Sequence, residues 1–211
     1  DADSDIIRPP TLEERRMYRM ARRNNDQDKL DELRRMRLQR LGEDRRQMQD
    51  AERWWLGRMI ETPRPLQEKL TLLWHGHFAS NHRTVRDSYM MLQQNEMFRT
   101  HANGNFADLV FGIIRDPAML KFLNNNSNNR HRPNENLARE LMELFTLGEG
   151  NYTERDIQEG ARALTGYGVE DDDFEFRENW HDTGTKTILG KRGEFDGEDF
   201  ATILLRRREC A

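Results

Sequence analysis

Half of the first 53 residues are charged: 14 are Lys or Arg and 13 are Asp or Glu. Mixed sign along a helical stretch makes a solvated helix laced with ion pairs. Each exposed pair adds only ~0.3–0.5 kcal/mol. Such a helix therefore needs a packed face to be stable. Residues 54–211 hold the other 20 basic and 25 acidic residues and have the texture of an ordinary globular domain. This contrast predicts two parts, a highly charged helical extension over 1–53 and a helical core domain over 54–211.

Several classes are excluded at once. The net charge is −4, and acidic residues interleave with the arginines of residues 15–46. No phosphate-tracking basic stripe forms, so nucleic acid is not an expected partner. No run approaches the roughly 18 apolar residues of a membrane span. The chain opens Asp1-Ala2-Asp3-Ser4-Asp5, without a basic-then-apolar leader. One cysteine, Cys210, excludes an internal disulfide and any site built from several thiolates.

Helix signals dominate the pattern. Thr11-Leu12-Glu13-Glu14 fits a capping box opening a helix to about Arg23. A second helix is expected from about Gln27 to Leu41, with Leu30, Leu33, Met36, Leu38 and Leu41 near one stripe and Gly42 ending or bending it. A third spans Asp44 to Ile60. Thr62-Pro63 signals the next start, and Asn81 to Val85 is read as a loop. Further helices follow from Ser88, from Asn105, from Asp116-Pro117, after Asn134, from Thr153 and from Asp196. Between residues 124 and 136 lie seven asparagines, which favour turns and the left-handed region over helix interiors, so this stretch is a loop. Phe174 and Phe176 alternate with charged residues, and Lys186 to Leu189 can return as the partner strand, giving one small β-hairpin over 173–189. The fold class is mainly α: a multi-helix, bundle-like domain with that hairpin and the charged extension.

Three constellations could carry chemistry. In Trp74-His75-Gly76-His77-Phe78 the two imidazoles sit about 200° apart on a helix, so they meet on one ion only if the helix frays at Gly76. They are candidate metal ligands, with Glu140 as a third and a divalent cation as the cofactor; the bland alternative is one buried, hydrogen-bonded histidine and one exposed. In Asn134 to Leu144, Glu140 and Glu143 are i, i+3 and can reach one place, while Arg139 is i, i+4 from both Glu135 and Glu143. Arginine among carboxylates most often makes an ion-pair ladder and depresses their pKa values. His181-Asp182 can be a base with its orienting partner, or only a turn. Glu140, Glu143, His181 and Asp182 are the candidate catalytic residues. The acidic runs Asp171-Asp172-Asp173 and Asp196/Glu198/Asp199 lack the ligand spacing of an EF-hand.

The blocks Leu66 to Phe78, Arg115-Asp116-Pro117-Ala118-Met119-Leu120, Pro133 to Leu144, Ala161-Arg162-Ala163-Leu164-Thr165-Gly166 and His181-Asp182 to Lys186-Thr187 together resemble the bacterial "domain of unknown function 1800" family. The resemblance covers roughly Trp54 to Ala211. It implies a mostly helical bacterial protein, cytoplasmic or exported, and no particular reaction. Family members continue past the position of Cys210-Ala211, so the resemblance implies a fragment or truncated member whose core domain is incomplete at its C-terminus. Tyr167 replaces the tryptophan frequent after Thr165-Gly166.

Two functions are weighed. One is a non-catalytic helical module, with residues 1–53 reaching a protein partner and the asparagine-rich loop as a second feature. The other is a metal-assisted hydrolase using His75, His77, Glu140, Glu143 and His181. No complete catalytic constellation can be read from the chain, so the binding or structural module is the preferred expectation.

Overall fold

A computed structural model describes residues 12–210 apart from Asn25 and Asp171. The expected Thr11 cap lies outside them. The molecule is mainly helical: α1 (Leu12–Arg23), α2 (Gln27–Glu61), α3 (Pro65–His77), α4 (His82–Val85), α5 (Ser88–His101), α6 (Phe106–Ile113), α7 (Pro117–Phe122), α8 (Asn136–Glu140), α9 (Glu154–Ala163) and α10 (Gly197–Leu205). The helix α8 runs directly into a π-helical turn, Leu141–Thr146. No described helix is long and apolar enough to cross a membrane.

The polar residues that begin these helices do what their chemistry predicts. Asn105, Asp116 and Asp196 each accept a backbone N–H of the first turn, and Thr153 with Asp156 forms a reciprocal capping box. Asn81 caps α4, a helical turn where a loop was expected, which ends at Arg86 in the left-handed region (φ 55°). Proline does open α3, but it is Pro65; Thr62 instead closes α2, its N–H reaching Arg58 O.

The two helices expected on either side of Gly42 are one helix of 35 residues. A helical glycine costs ~1 kcal/mol against alanine, and the flanking contacts outweigh it. On the N-terminal side Leu30 and Leu33 pack with Ala21 of α1. On the other, Asp44 accepts from the Ser88 N–H (2.6 Å) and meets His82 Nε2 (2.6 Å), while Met48 packs on Val85, Met90 and Ala118. Farther along, the buried Glu68 of α3 takes Trp55 Nε1 (2.8 Å), Arg58 Nε (2.7 Å) and Arg99 Nε (3.0 Å), joining α2, α3 and α5.

The main core gathers Phe78, Phe98, Leu109, Leu137, Leu141 and Phe200 from α3 through α10, all fully buried. Two antiparallel hairpins lie on it rather than one. β1 (Tyr167–Glu170) pairs with β2 (Asp173–Phe176), and β3 (Lys186–Ile188) pairs with β4 (Lys191–Gly193). The alternation around Phe174 identified a strand correctly but not its partner, because Asp172, at φ 74°, turns the chain back on residues 167–170. Likewise Leu189 and Gly190 both take positive φ, the pattern of a two-residue primed turn, so β3 returns on β4.

Candidate functional site

The asparagine-rich loop is held by its own amides. Asn125 Nδ2 donates to Leu164 O (3.3 Å) and Tyr167 O (2.8 Å), and Asn128 Nδ2 donates to Ala161 O (3.0 Å). The Ala161 and Leu164 carbonyls lie at the end of α9, where the last turn of a helix leaves acceptors unpaired, and Tyr167 O opens β1. Both side chains are essentially fully buried. Asn126 Oδ1 accepts from Val169 N (2.5 Å) on β1. Asn128 Oδ1 accepts from Asn134 N (2.9 Å), closing the loop on itself.

The stretch after α9 completes the clamp. Gly166 N donates to Asn128 O (3.1 Å), and Gly166 O accepts from Arg177 N (2.8 Å). Gly166 has φ +83°, and a Cβ there would stand 2.7 Å from Arg177 O, so both conformation and space require glycine. Arg177 donates through Nε to Glu175 (2.7 Å), through Nη2 to Val169 O (2.9 Å) and through Nη1 to Asn126 O (3.4 Å). Its guanidinium lies 5.0 Å from the ring centre of Trp180. Trp180 O accepts from Arg130 N (2.8 Å).

Between loop and indole opens a cleft of about 670 Å³, lined by Asn124, Asn129, Arg132, Asn134, Asn136 and Trp180 among others. Asn129 and Asn134 spend their side chains on the loop's own backbone. The Asn124 amide, the Arg132 guanidinium and Asn136 Oδ1 have no hydrogen-bond or ion-pair partner among the described residues. Trp180 is 40% exposed.

The residues singled out from the sequence are placed differently. His75 and His77 project to opposite flanks of α3. His75 packs on Trp55 and Phe98, with Asn95 Nδ2 3.1 Å from its Nε2. Burial, aided by the Arg99 charge, pulls its pKa down to about 4, so the ring is neutral near pH 7. His77 Nε2 donates to Phe145 O (3.0 Å) in the π-helical turn. Both rings are partly buried, not one buried and one exposed. Among the described residues no three His, Cys, Asp or Glu side chains gather as a metal site, so His75, His77 and Glu140 form no common ligand set.

Glu140 and Glu143 do sit together. Burial and the neighbouring Glu143 charge raise the pKa of Glu140 rather than depress it. Arg139 does not bridge to Glu143: it pairs with Glu135 (3.1 Å) and holds both oxygens of Glu154 (2.9 and 2.8 Å). The wider turn beginning at Leu141 carries Glu143 to Tyr152, whose hydroxyl donates to it at 2.9 Å. Burial and that bond push Tyr152 up to about 12.

His181 and Asp182 brace the end of α9. His181 Nδ1 donates to Thr165 O (2.9 Å). Asp182 accepts both Nε (2.7 Å) and Nη2 (3.1 Å) of Arg162, which holds its carboxyl below the usual range. The buried Lys186 ammonium donates to Asp182 O. The blocks around residues 128, 165, 182 and 186 thus meet as one lock beside the cleft.

A family model described as "Protein of unknown function (DUF1800)" matches residues 4–211. The chain belongs to the DUF1800 family. The match takes in the charged N-terminal segment, so the family extends well beyond the Trp54 start expected from the sequence blocks. Neither a curated protein nor a solved structure matches this family member. The cleft residues Asn124, Arg132, Asn136 and Trp180 were not among the site candidates; the asparagine density of 124–136 was the signal that pointed to them.

Proposed function

We propose that this DUF1800 chain is a non-catalytic binding module that takes a polar ligand in the asparagine-lined cleft. One observation carries the reading. The loop consumes Asn125, Asn126, Asn128 and Asn134 to fix its own backbone, and presents Asn124, Asn136 and Arg132 with spare hydrogen-bonding capacity. A rigid loop with polar groups left over suits recognition, because little order is lost on binding. Concave sites with a few placed polar groups and an aromatic wall are the usual form of a ligand pocket. The carboxylates Glu140 and Glu143 lack an adjoining metal set among the described residues, so a metal-assisted hydrolase has less support.

The test is a screen of polar fragments followed by amide NMR shifts on the labelled protein. Hits that move residues 124–136 and 178–182 support the reading. Hits confined to the surroundings of His77 or Glu143, or turnover of any fragment, would sink it.

A further inference from the structure

We infer that the ligand of this cleft is a saccharide, with one pyranose ring against Trp180 and its hydroxyls on Asn124 and Asn136. The inference rests on the binding-module reading and narrows its ligand.

A sugar hydroxyl both donates and accepts a hydrogen bond. The spare groups of the cleft offer both functions: the Asn124 amide carries two donors and an acceptor, Asn136 Oδ1 accepts, and Arg132 only donates. A purely anionic ligand would face the Asn136 acceptor and the Glu135 carboxylate that also lines the cleft. A purely apolar one would strip water from all three side chains without replacing their bonds, a loss for every polar group desolvated. A polyhydroxylated ligand satisfies them together.

The aromatic wall points the same way. The Arg177 guanidinium lies 5.0 Å from the ring centre of Trp180, a 40% exposed residue that lines the cleft. The open face of an indole is a flat apolar surface with a negative quadrupole, suited to polarised C–H groups. A pyranose has such a C–H face with hydroxyls around its edge. Arg177 is itself tied to Glu175, Val169 O and Asn126 O. The platform is therefore rigid before any ligand arrives. The cleft, about 670 Å³, lies within the roughly 300–1,000 Å³ typical of ligand sites.

The test titrates the full chain with tetrasaccharides of β-1,4-linked glucose, N-acetylglucosamine and mannose and of α-1,4-linked galacturonate, read by amide NMR shifts. Saturable shifts at residues 124–136 and 178–182 are expected for at least one of them. Trp180→Ala should weaken that binding roughly tenfold or more with only a small drop in melting temperature, because the backbone bonds of residue 180 survive and only the Arg177 contact is lost. Asn124→Gly keeps the left-handed backbone (φ 58°) and should weaken binding several-fold. If no tetrasaccharide moves these amides while amide or peptide fragments do, the saccharide inference falls and the binding-module reading stands. If a tetrasaccharide binds elsewhere, or Trp180→Ala leaves affinity unchanged, the saccharide inference falls; if neither tetrasaccharides nor fragments move these amides, both fall.

Discussion

A buried carboxyl, Asp116, and a partly buried imidazole, His75, are shifted in opposite directions. Asp116 caps α7, accepting from Met119 N (2.7 Å) and Gln94 Nε2 (2.6 Å), and full burial still pushes it up to about 7. A carboxyl raised in the folded state binds its proton there while the unfolded chain has lost it. Its contribution is therefore fully present below about pH 4 and is lost as pH rises to about 7. His75, drawn down to about 4 from an ordinary 6.5, contributes stability that is gained from pH 4 to 6.5 and lost as pH falls. Each slope is at most ~1.4 kcal/mol per pH unit. Urea unfolding across pH 4–7 should show Asp116→Asn gaining on the wild type as pH rises, and His75→Gln losing ground up to pH 6.5. Parallel curves for either variant would refute the assignment. The cap at Asp116 was legible in the sequence because Asp-Pro before an apolar run is a local signal. The burial that perturbs it was not, since Gln94 lies 22 residues away.

Among the elements, α2 was the least legible. Glycine at 42 is a true local weakness, and only tertiary contacts decide whether a helix crosses it. Those contacts include Asp44, which binds Ser88 N and His82, and Gln47, which accepts from Ser88 Oγ (3.2 Å). The sequence division at residue 53 therefore falls inside the half of α2 that is packed on the core. Hydrogen exchange should divide α2 accordingly: amides beyond Asp44 should be protected at least tenfold more than those around Leu30 and Leu33, because those two, among the described side chains, pack on α1 alone. Uniform protection along α2 would contradict this. The hairpins failed for a related reason, since alternation marks a strand while the turn chooses its partner. The π-helical turn at Leu141 had no signal at all, yet it decides that Glu143 meets Tyr152 and not Arg139.

For the molecule as a whole, helix content and most helix starts could be read directly, because caps and apolar periodicity act within a few residues. What could not be read is the assembly of distant blocks. Asn126 reaches Val169 across 43 residues and Arg177 across 51. Ala161, Thr165, Asp182 and Lys186 stand in separate blocks along the chain, and only the fold shows that they brace one another. Residues that seemed placed for chemistry, His181 and Asp182 above all, are bracing groups in this lock.

The same separation governs time. Closing a loop of ~50 residues costs entropy before any bond is made, so contacts of this span form late on the folding route. Asn128→Ala should leave the refolding rate nearly unchanged and accelerate unfolding, as measured by stopped-flow mixing in urea; slowed refolding would reverse that order. Late closure on the way in means early release on the way out. The cleft then has a lifetime of its own, shorter than that of the helical core, and a ligand that bridges Trp180 to Asn124 would lengthen it.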